Sequence, residues 1–379
     1  MTTDIARVAC RFGSETFDVY ADWRIAKLFE REFPDPRSDR SPSVVFRIHR
    51  TDCVPSVDSE VTESLGPQAS HTQSHVSFSN RRCTFEMEFS HPLEVDVHLL
   101  RTKKMAIVHA LPSWMQRMMT RKFVTADEQE YGYLIYSAVL WVLFLSGLRS
   151  SRLFLHASGF ARRNSRVLLC GTGGVGKTSL SKYLLSLPDA KFLSDDIVTV
   201  SADGKVYANS MFIHWYPYNE GGRIRVGRHG YGGPQVLERM HWLARRSLFG
   251  PKGVCRRVSP FHVHGCDVAE AGGLPLTDII WLDRDGTDRA TLSEVDVREF
   301  AEAHLEVLRG ELKSAFSFYT SAKSRGWAPL QAGLPIELAD RVFELLAELA
   351  GNVRLRRFNV AEGRSAEYNA AQLLRGIDG

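Results

Sequence analysis

The stretch that decides the fold is Leu168–Leu185, LLCGTGGVGKTSLSKYLL. An apolar run ending at Cys170 meets four glycines and a lysine, and a helix-like segment follows from Lys177 to about Ser186, stopped by Pro188. Gly171-Thr172-Gly173-Gly174-Val175-Gly176-Lys177-Thr178 satisfies G-x-x-x-x-G-K-[ST] with a strand before it and a helix after it. Such a loop wraps a phosphate closely, so its backbone N–H groups point inward and its dihedrals exclude a Cβ. The following helix start adds unpaired N–H groups and a positive dipole end. The residues expected to bind the nucleotide are therefore Gly171 to Ser179. Lys177 would reach the β- and γ-phosphates and Thr178 would ligate magnesium.

Working outward, Asp195 and Asp196 in FLSDD (192–196) follow Lys177 by 18 and 19 residues. That spacing allows one helix, a short loop and a short strand, Lys191–Leu193, returning parallel to the first. A right-handed crossover would bring the carboxylate pair beside the glycine loop. Two adjacent carboxylates there can divide the work, one on magnesium and one on the proton of an attacking hydroxyl, as phosphoryl transfer requires. Upstream, Arg152–Phe160 and Arg166–Cys170 are strand-like runs joined by a turn. His156 lies on the first of them, 21 residues before Lys177.

Together LHASGFA (155–161), GTGGVGKTS (171–179) and FLSDD (192–196) resemble the HPr kinase/phosphorylase family and its phosphoenolpyruvate-carboxykinase-like relatives. The resemblance is strong over about 45 residues and loose beyond them. It implies a P-loop kinase domain in which Lys177 binds phosphates, Asp195 is the general base, Asp196 supports the metal and His156 stands in the active site. Departures are visible: Gly173 and Thr178 stand where the family commonly has serine, and Thr178 keeps a hydroxyl for magnesium. Glu220, in NEGGRIRVG, is the candidate for a later magnesium-binding glutamate. Arg256 and Arg257 are candidates, by position alone, for a late active-site arginine.

Other constellations point elsewhere. GGVGKTSL also suits a small GTPase, with Asp283-Arg-Asp-Gly286 after an apolar run and Thr320-Ser-Ala-Lys323 as a base-contact motif; no N-K-x-D occurs in the chain. Nine basic residues between Arg223 and Arg257 face one acid, Glu238, and glycines punctuate them, so this stretch could close over an anion or be a solvated face. His262, His264 and Cys266 alternate as if along one strand face. They lack the complementary pair a zinc site needs.

Composition sets the bounds. The chain has 379 residues, 44% hydrophobic and 24% charged, with a formal charge of +4, which suits two globular parts and no general polyanion binding. We expect an α/β (α+β) chain: a strand-rich accessory domain over residues 1–150 and a P-loop kinase domain over 151–379. Six widely spaced cysteines read as reduced thiols, and the N-terminus carries no secretory signal, so the expected location is cytoplasmic. Tyr131–Gly147 is uncharged and is expected to be a buried helix rather than a membrane span. The expectation is a kinase using ATP and Mg2+ on a hydroxyl-bearing acceptor (protein, peptide or small molecule), with no nucleic-acid partner and homo-oligomerisation left open. The alternatives are an NTPase switch and a non-catalytic nucleotide-binding regulatory protein.

Overall fold

The computed structural model describes residues 5–35, 41–51, 75–79, 83–88, 90–100, 107–119, 125–216, 243–244, 246–250, 255–264, 268–269, 272–324 and 337–378. The short β-branched and aromatic runs of the N-terminal part pair into one mixed sheet. Its strands are β1 (Ile5–Phe12), β2 (Glu15–Asp22), β3 (Val44–Thr51), β4 (His75–Ser79), β5 (Cys83–Glu88) and β6 (Leu93–Leu100), in the order β1-β2-β3-β6-β5-β4. Across it lies α1 (Trp23–Glu32), whose Ile25, Ala26 and Phe29 are buried and whose N-terminus is capped by the Asp22 carboxylate. This helix is absent from the sequence expectation, although Asp22 before an amphipathic run is a start signal.

After α2 (Ser113–Met119) comes α3 (Ala126–Leu148), opened by a capping box between Thr125 and Glu128. Over Ile135–Val139 it widens into a π-helical turn, where Trp141 Nε1 donates to the Ser137 carbonyl at 2.5 Å. It is the one helix among the described residues long and apolar enough to cross a membrane, and 78% of its most apolar window is buried inside the protein. Tyr131 meets Phe29 of α1 edge-on with centroids 4.9 Å apart, and Phe144 meets Phe154 of the second sheet at 5.6 Å.

That second sheet has nine strands: β7 (Arg152–Arg162), β8 (Ser165–Cys170), β9 (Ala190–Ser194), β10 (Ile197–Ser201), β11 (Lys205–Tyr207), β14 (Leu274–Pro275), β15 (Asp278–Asp283), β16 (Thr291–Glu294) and β17 (Arg354–Asn359). A separate ribbon pairs β12 (Ile213–Trp215) with β13 (Arg256–Val258). The helices are α4 (Lys177–Leu184), α5 (Pro260–His264), α6 (Val297–Glu311), α7 (Lys313–Ser324), α8 (Leu338–Asn352) and α9 (Ala366–Asp378). Strands β8 and β15 are apolar throughout their centres because both faces are covered. Leu168, Ile279 and Trp281 pack into the core shared with α3, α6 and α8, while Val167, Leu169, Ile280 and Leu282 pack with Leu180 and Leu184 of α4 and Leu373 of α9. The chain is thus mixed α/β.

Three expectations change. Strand β9 runs in the same direction as β8 but does not adjoin it: both pair antiparallel with β7, which lies between them. The strand foreseen over Cys255–Val263 stops at Val258, since Pro260 suits the first turn of a helix and the segment winds into α5. His262 and His264 therefore sit on a helix, so the alternating strand face does not exist, and Cys266 lies outside the described residues. The Thr320–Lys323 motif falls within α7 and not on a loop after a strand, which removes the base-contact geometry of the GTPase reading.

Candidate functional site

Strand β7 is the ruler of the site. Along one edge it pairs first with β10 and then with β9, and the interruption between those strands is the turn at Asp195 and Asp196. Along its other edge Ala157 pairs with Cys170, the last strand residue before the glycine loop. The Ala157 N–H donates to the Asp196 carbonyl at 3.2 Å, so acids and loop leave the sheet at one level. Two strand spacings, about 10 Å, separate them. The backbone is held tightly here: the Ile197 N–H reaches the Asp195 carbonyl at 2.9 Å, and Asp196 between them has φ 65°. A non-glycine residue in that region stores strain of the kind found at functional sites.

Lys177, Asp195, Asp196 and His156 line a single cavity of about 380 Å³, together with Gly173, Gly174, Gly176, Thr178 and Ser179 of the loop. Lys177 is buried and its Nζ donates to the carbonyls of Gly171 (2.7 Å) and Thr172 (3.1 Å), with burial lowering its pKa. Gly171, Gly174 and Gly176 have φ of 141°, 82° and 115°. A Cβ on Gly171 would stand 2.8 Å from the Leu282 carbonyl, whereas at Gly173 and Gly174 it would meet nothing within 4 Å. The loop is thus pinned on its sheet side and open on the other. Val175 packs inward, and Thr172 is exposed at the rim.

The two carboxylates live in different surroundings. Asp195 is buried and accepts a hydrogen bond from the Ser158 hydroxyl. Burial, then repulsion from Asp196, pushes it up to about 7. Burial also acts upward on Asp196. There, however, the hydrogen bond and charge of His214, with the charges of His156 and Lys177, outweigh it and hold the group below the usual range. His214 Nδ1 lies 3.3 Å from Asp196 Oδ2 and 3.4 Å from the Tyr136 hydroxyl, and its ring stacks on Tyr136.

His156 is buried, and desolvation followed by the Lys177 charge lowers it to about 4, so the ring is neutral at pH 7. Its Nδ1 stands 3.7 Å from a Glu311 carboxylate oxygen and has no hydrogen-bond partner among the described residues. Its backbone N–H donates to Nε2 of His304, which assigns the His304 proton to Nδ1. His304 is fully buried beside Trp281 and Phe300, and burial lowers it to about 3.

Several cavity residues lie beyond the sequence expectation, among them Tyr136, His214 and Glu311. Each of these three had a faint signal, since a tyrosine in an apolar helix, a histidine inside FIHWY and an acid at the end of an amphipathic helix are polar exceptions to their own pattern. Glu220 lies outside the described residues, as does most of the basic stretch. Arg257 does not enter the cavity; its guanidinium pairs with buried Glu32 at 2.5 Å and lies over the rings of Tyr131 and Tyr136. Elsewhere, His109, Asp127 and Glu130 bring ligand atoms within 4.8 Å of one another. Arg50 already supplies positive charge there, at 2.5 Å from Asp127 and 3.1 Å from Glu130.

The donor set suits a nucleoside triphosphate with a hard divalent cation. Glycines leave a cradle free of Cβ atoms, and Thr178 and Asp196 offer the oxygen ligands magnesium prefers. No protein-family model matches this chain, and no curated protein matches it.

Proposed function

We propose that this chain is an ATP- and Mg2+-dependent kinase of the HPr-kinase-like P-loop type that transfers the γ-phosphoryl group to a hydroxyl. The observation that carries the reading is that two adjacent carboxylates share one cavity with the glycine loop and Lys177 in unlike surroundings, Asp195 against the Ser158 hydroxyl and Asp196 against His214. Groups whose environments push their pKa values apart mark the division between proton acceptor and fixed charge. Asp195, poised near neutrality, accepts the proton of the attacking hydroxyl. Asp196 stays ionised and, with Thr178, would hold the cation, whose charge neutralises the transferred group. Lys177 exchanges its two loop carbonyls for phosphate oxygens. His156, neutral and with Nδ1 unsatisfied, holds the acceptor or the phosphoryl oxygens by a hydrogen bond.

The test is to incubate the protein with γ-labelled ATP and a pool of candidate acceptors (proteins, peptides, sugars and other small alcohols), with the Asp195→Asn variant alongside. Label carried to one acceptor only by the wild type supports the kinase. Free phosphate released without any acceptor supports an NTPase switch, and binding without turnover supports a regulatory nucleotide binder.

A further inference from the structure

Helix α6 ends at the cavity that holds the two acids: its last residue, Glu311, and the residue that caps it, Leu312, both line that cavity with Lys177, Asp195 and Asp196. A carboxylate is poorly placed there. The last turn of a 15-residue helix carries the negative end of the dipole, which favours cations. The basic side chain of that turn, Arg309, is paired with Glu306 at the exposed surface. Burial and the charge of Asp196 both raise the pKa of Glu311. Its ion-pair contact among the described residues is His156 Nδ1 at 3.7 Å, and that ring is neutral at pH 7.

The charges around Glu311 add to the imbalance. Among the described residues lining the cavity, three carboxylates stand against one ammonium, that of Lys177, which the phosphates of a bound nucleotide would occupy. His214 is already engaged by Asp196. A magnesium ion at Thr178 and Asp196 would offset only part of the charge of a triphosphate. Glu311 therefore lacks a positive partner, and its surroundings say which kind it would accept. Leu140, Ile197 and Leu312 are buried and line the same cavity. A second hard cation needs several more oxygen ligands. A positive nitrogen on a carbon chain instead rests its methylenes on such apolar side chains while it donates to a carboxylate.

We infer that Glu311 selects the acceptor, and that the acceptor is a hydroxyl compound carrying a positively charged nitrogen, an ammonium or a guanidinium, close to its hydroxyl. Both groups must enter one cavity of about 380 Å³. The inference rests on the kinase reading, since it takes the hydroxyl to be delivered to Asp195. The nitrogen donates to the Glu311 carboxylate and meets His156 Nδ1, which has no hydrogen-bond partner among the described residues, as a second acceptor. The substrate's charge then offsets the repulsion between Glu311 and Asp196, and two points of attachment orient the reacting oxygen.

Matched acceptor pairs test this with the full chain and γ-labelled ATP: serinol against glycerol, and serine peptides flanked by lysine against the same peptides with the lysine acetylated. The wild type should label a cationic member at least about tenfold faster than its neutral counterpart at low concentration, and the pair that responds separates a small amine from a peptide. Glu311→Gln should shrink that preference to within about threefold, through KM more than kcat, and Glu311→Lys should reverse it. In both variants the magnesium concentration for half-maximal labelling should stay within about twofold. Ligand-free Glu311→Gln should melt no lower than the wild type. Neutral members labelled as fast as cationic ones by the wild type, or a preference that survives Glu311→Gln, overturns the inference and leaves the kinase reading standing. A magnesium requirement raised about tenfold assigns Glu311 to the metal and overturns it too. So does a lower melting temperature for Glu311→Gln, the mark of a structural carboxylate. Label on no acceptor at all removes the kinase reading, and this inference with it.

Discussion

His214 Nδ1 stands 3.3 Å from Asp196 Oδ2, and through that contact a residue of the β12–β13 ribbon favours the ionised form of Asp196. Asp195, one residue earlier and also buried, lines the same cavity and accepts the Ser158 hydroxyl instead.

Replacing Asp195 by Asn should cut phosphoryl transfer by about 10²–10⁴-fold while leaving ATP affinity nearly unchanged. The same change should stabilise the protein. The folded-state pKa of Asp195 is raised above the value of about 3.9 of an unfolded chain, so wild-type stability falls as pH rises between the two. The variant should exceed the wild type by about 1–3 kcal/mol near pH 8, with the difference gone near pH 4. Denaturant melts at the two pH values measure it, and a less stable variant at the higher pH would contradict the assignment of a strained, desolvated carboxylate.

The pH dependence of turnover follows from the same group. Activity should rise through about pH 7 as Asp195 loses its proton, because Asp196 is already ionised there and His156 is already neutral. A kcat profile that is flat from about pH 5 to 8 would show that no group of this kind limits the reaction.

Lys177→Met should abolish nucleotide binding. The ammonium is held by two loop carbonyls inside the cradle, and a methionine there supplies no charge for phosphate. A loss of affinity of at least about 100-fold by calorimetry is expected. The fold should survive, since removing a buried cation relieves desolvation.

His304 offers a stability test remote from chemistry. Its folded pKa of about 3, like the value of about 4 for His156, lies below the unfolded value of about 6.5. Stability conferred by the neutral rings is therefore lost as pH falls from about 6.5 towards those values, at about 1.4 kcal/mol per pH unit for each ring. His304→Gln keeps an acceptor for the His156 N–H and should make the acid limb shallower by one such slope. Urea midpoints between about pH 4.5 and 6.5 read it directly.

Glu32→Ala should destabilise the protein by about 3–5 kcal/mol, because it removes the carboxylate half of a buried ion pair with Arg257. Glu32 also accepts the Phe212 N–H at 2.9 Å, so α1 of the N-terminal sheet anchors the segment that carries His214. The double change Glu32→Leu with Arg257→Met should recover much of the loss in thermal melts.

What the sequence revealed and what it hid divide along one line. Local patterns were legible: the glycine loop between β8 and α4, the apolar strands covered on both faces, the helix from Val297 and the buried run around Trp141 all follow from spacing and composition. Pairing between distant segments was not. The insertion of β7 between β8 and β9 is a tertiary choice that no local periodicity encodes. The segment that carries His214 to Asp196 is tied to α1 through Glu32, 180 residues before Phe212 in the chain. Pro260, by contrast, was a readable helix start, and the strand foreseen through it gave the apolar residues more weight than the proline.

The widened turn over Ile135–Val139 gives α3 two unrelated facings. Before it, Tyr131 is phased to meet α1; after it, Phe144 is phased to meet β7; within it, Tyr136 is presented to His214. An extra residue in a coil of 3.6 per turn rotates everything downstream by about 100°. Deleting one residue there would restore ordinary winding and leave one end of the helix misaligned. The bulge is thus a phase-shifter, and the spacing between the N-terminal sheet and the cleft beside the glycine loop is written into it.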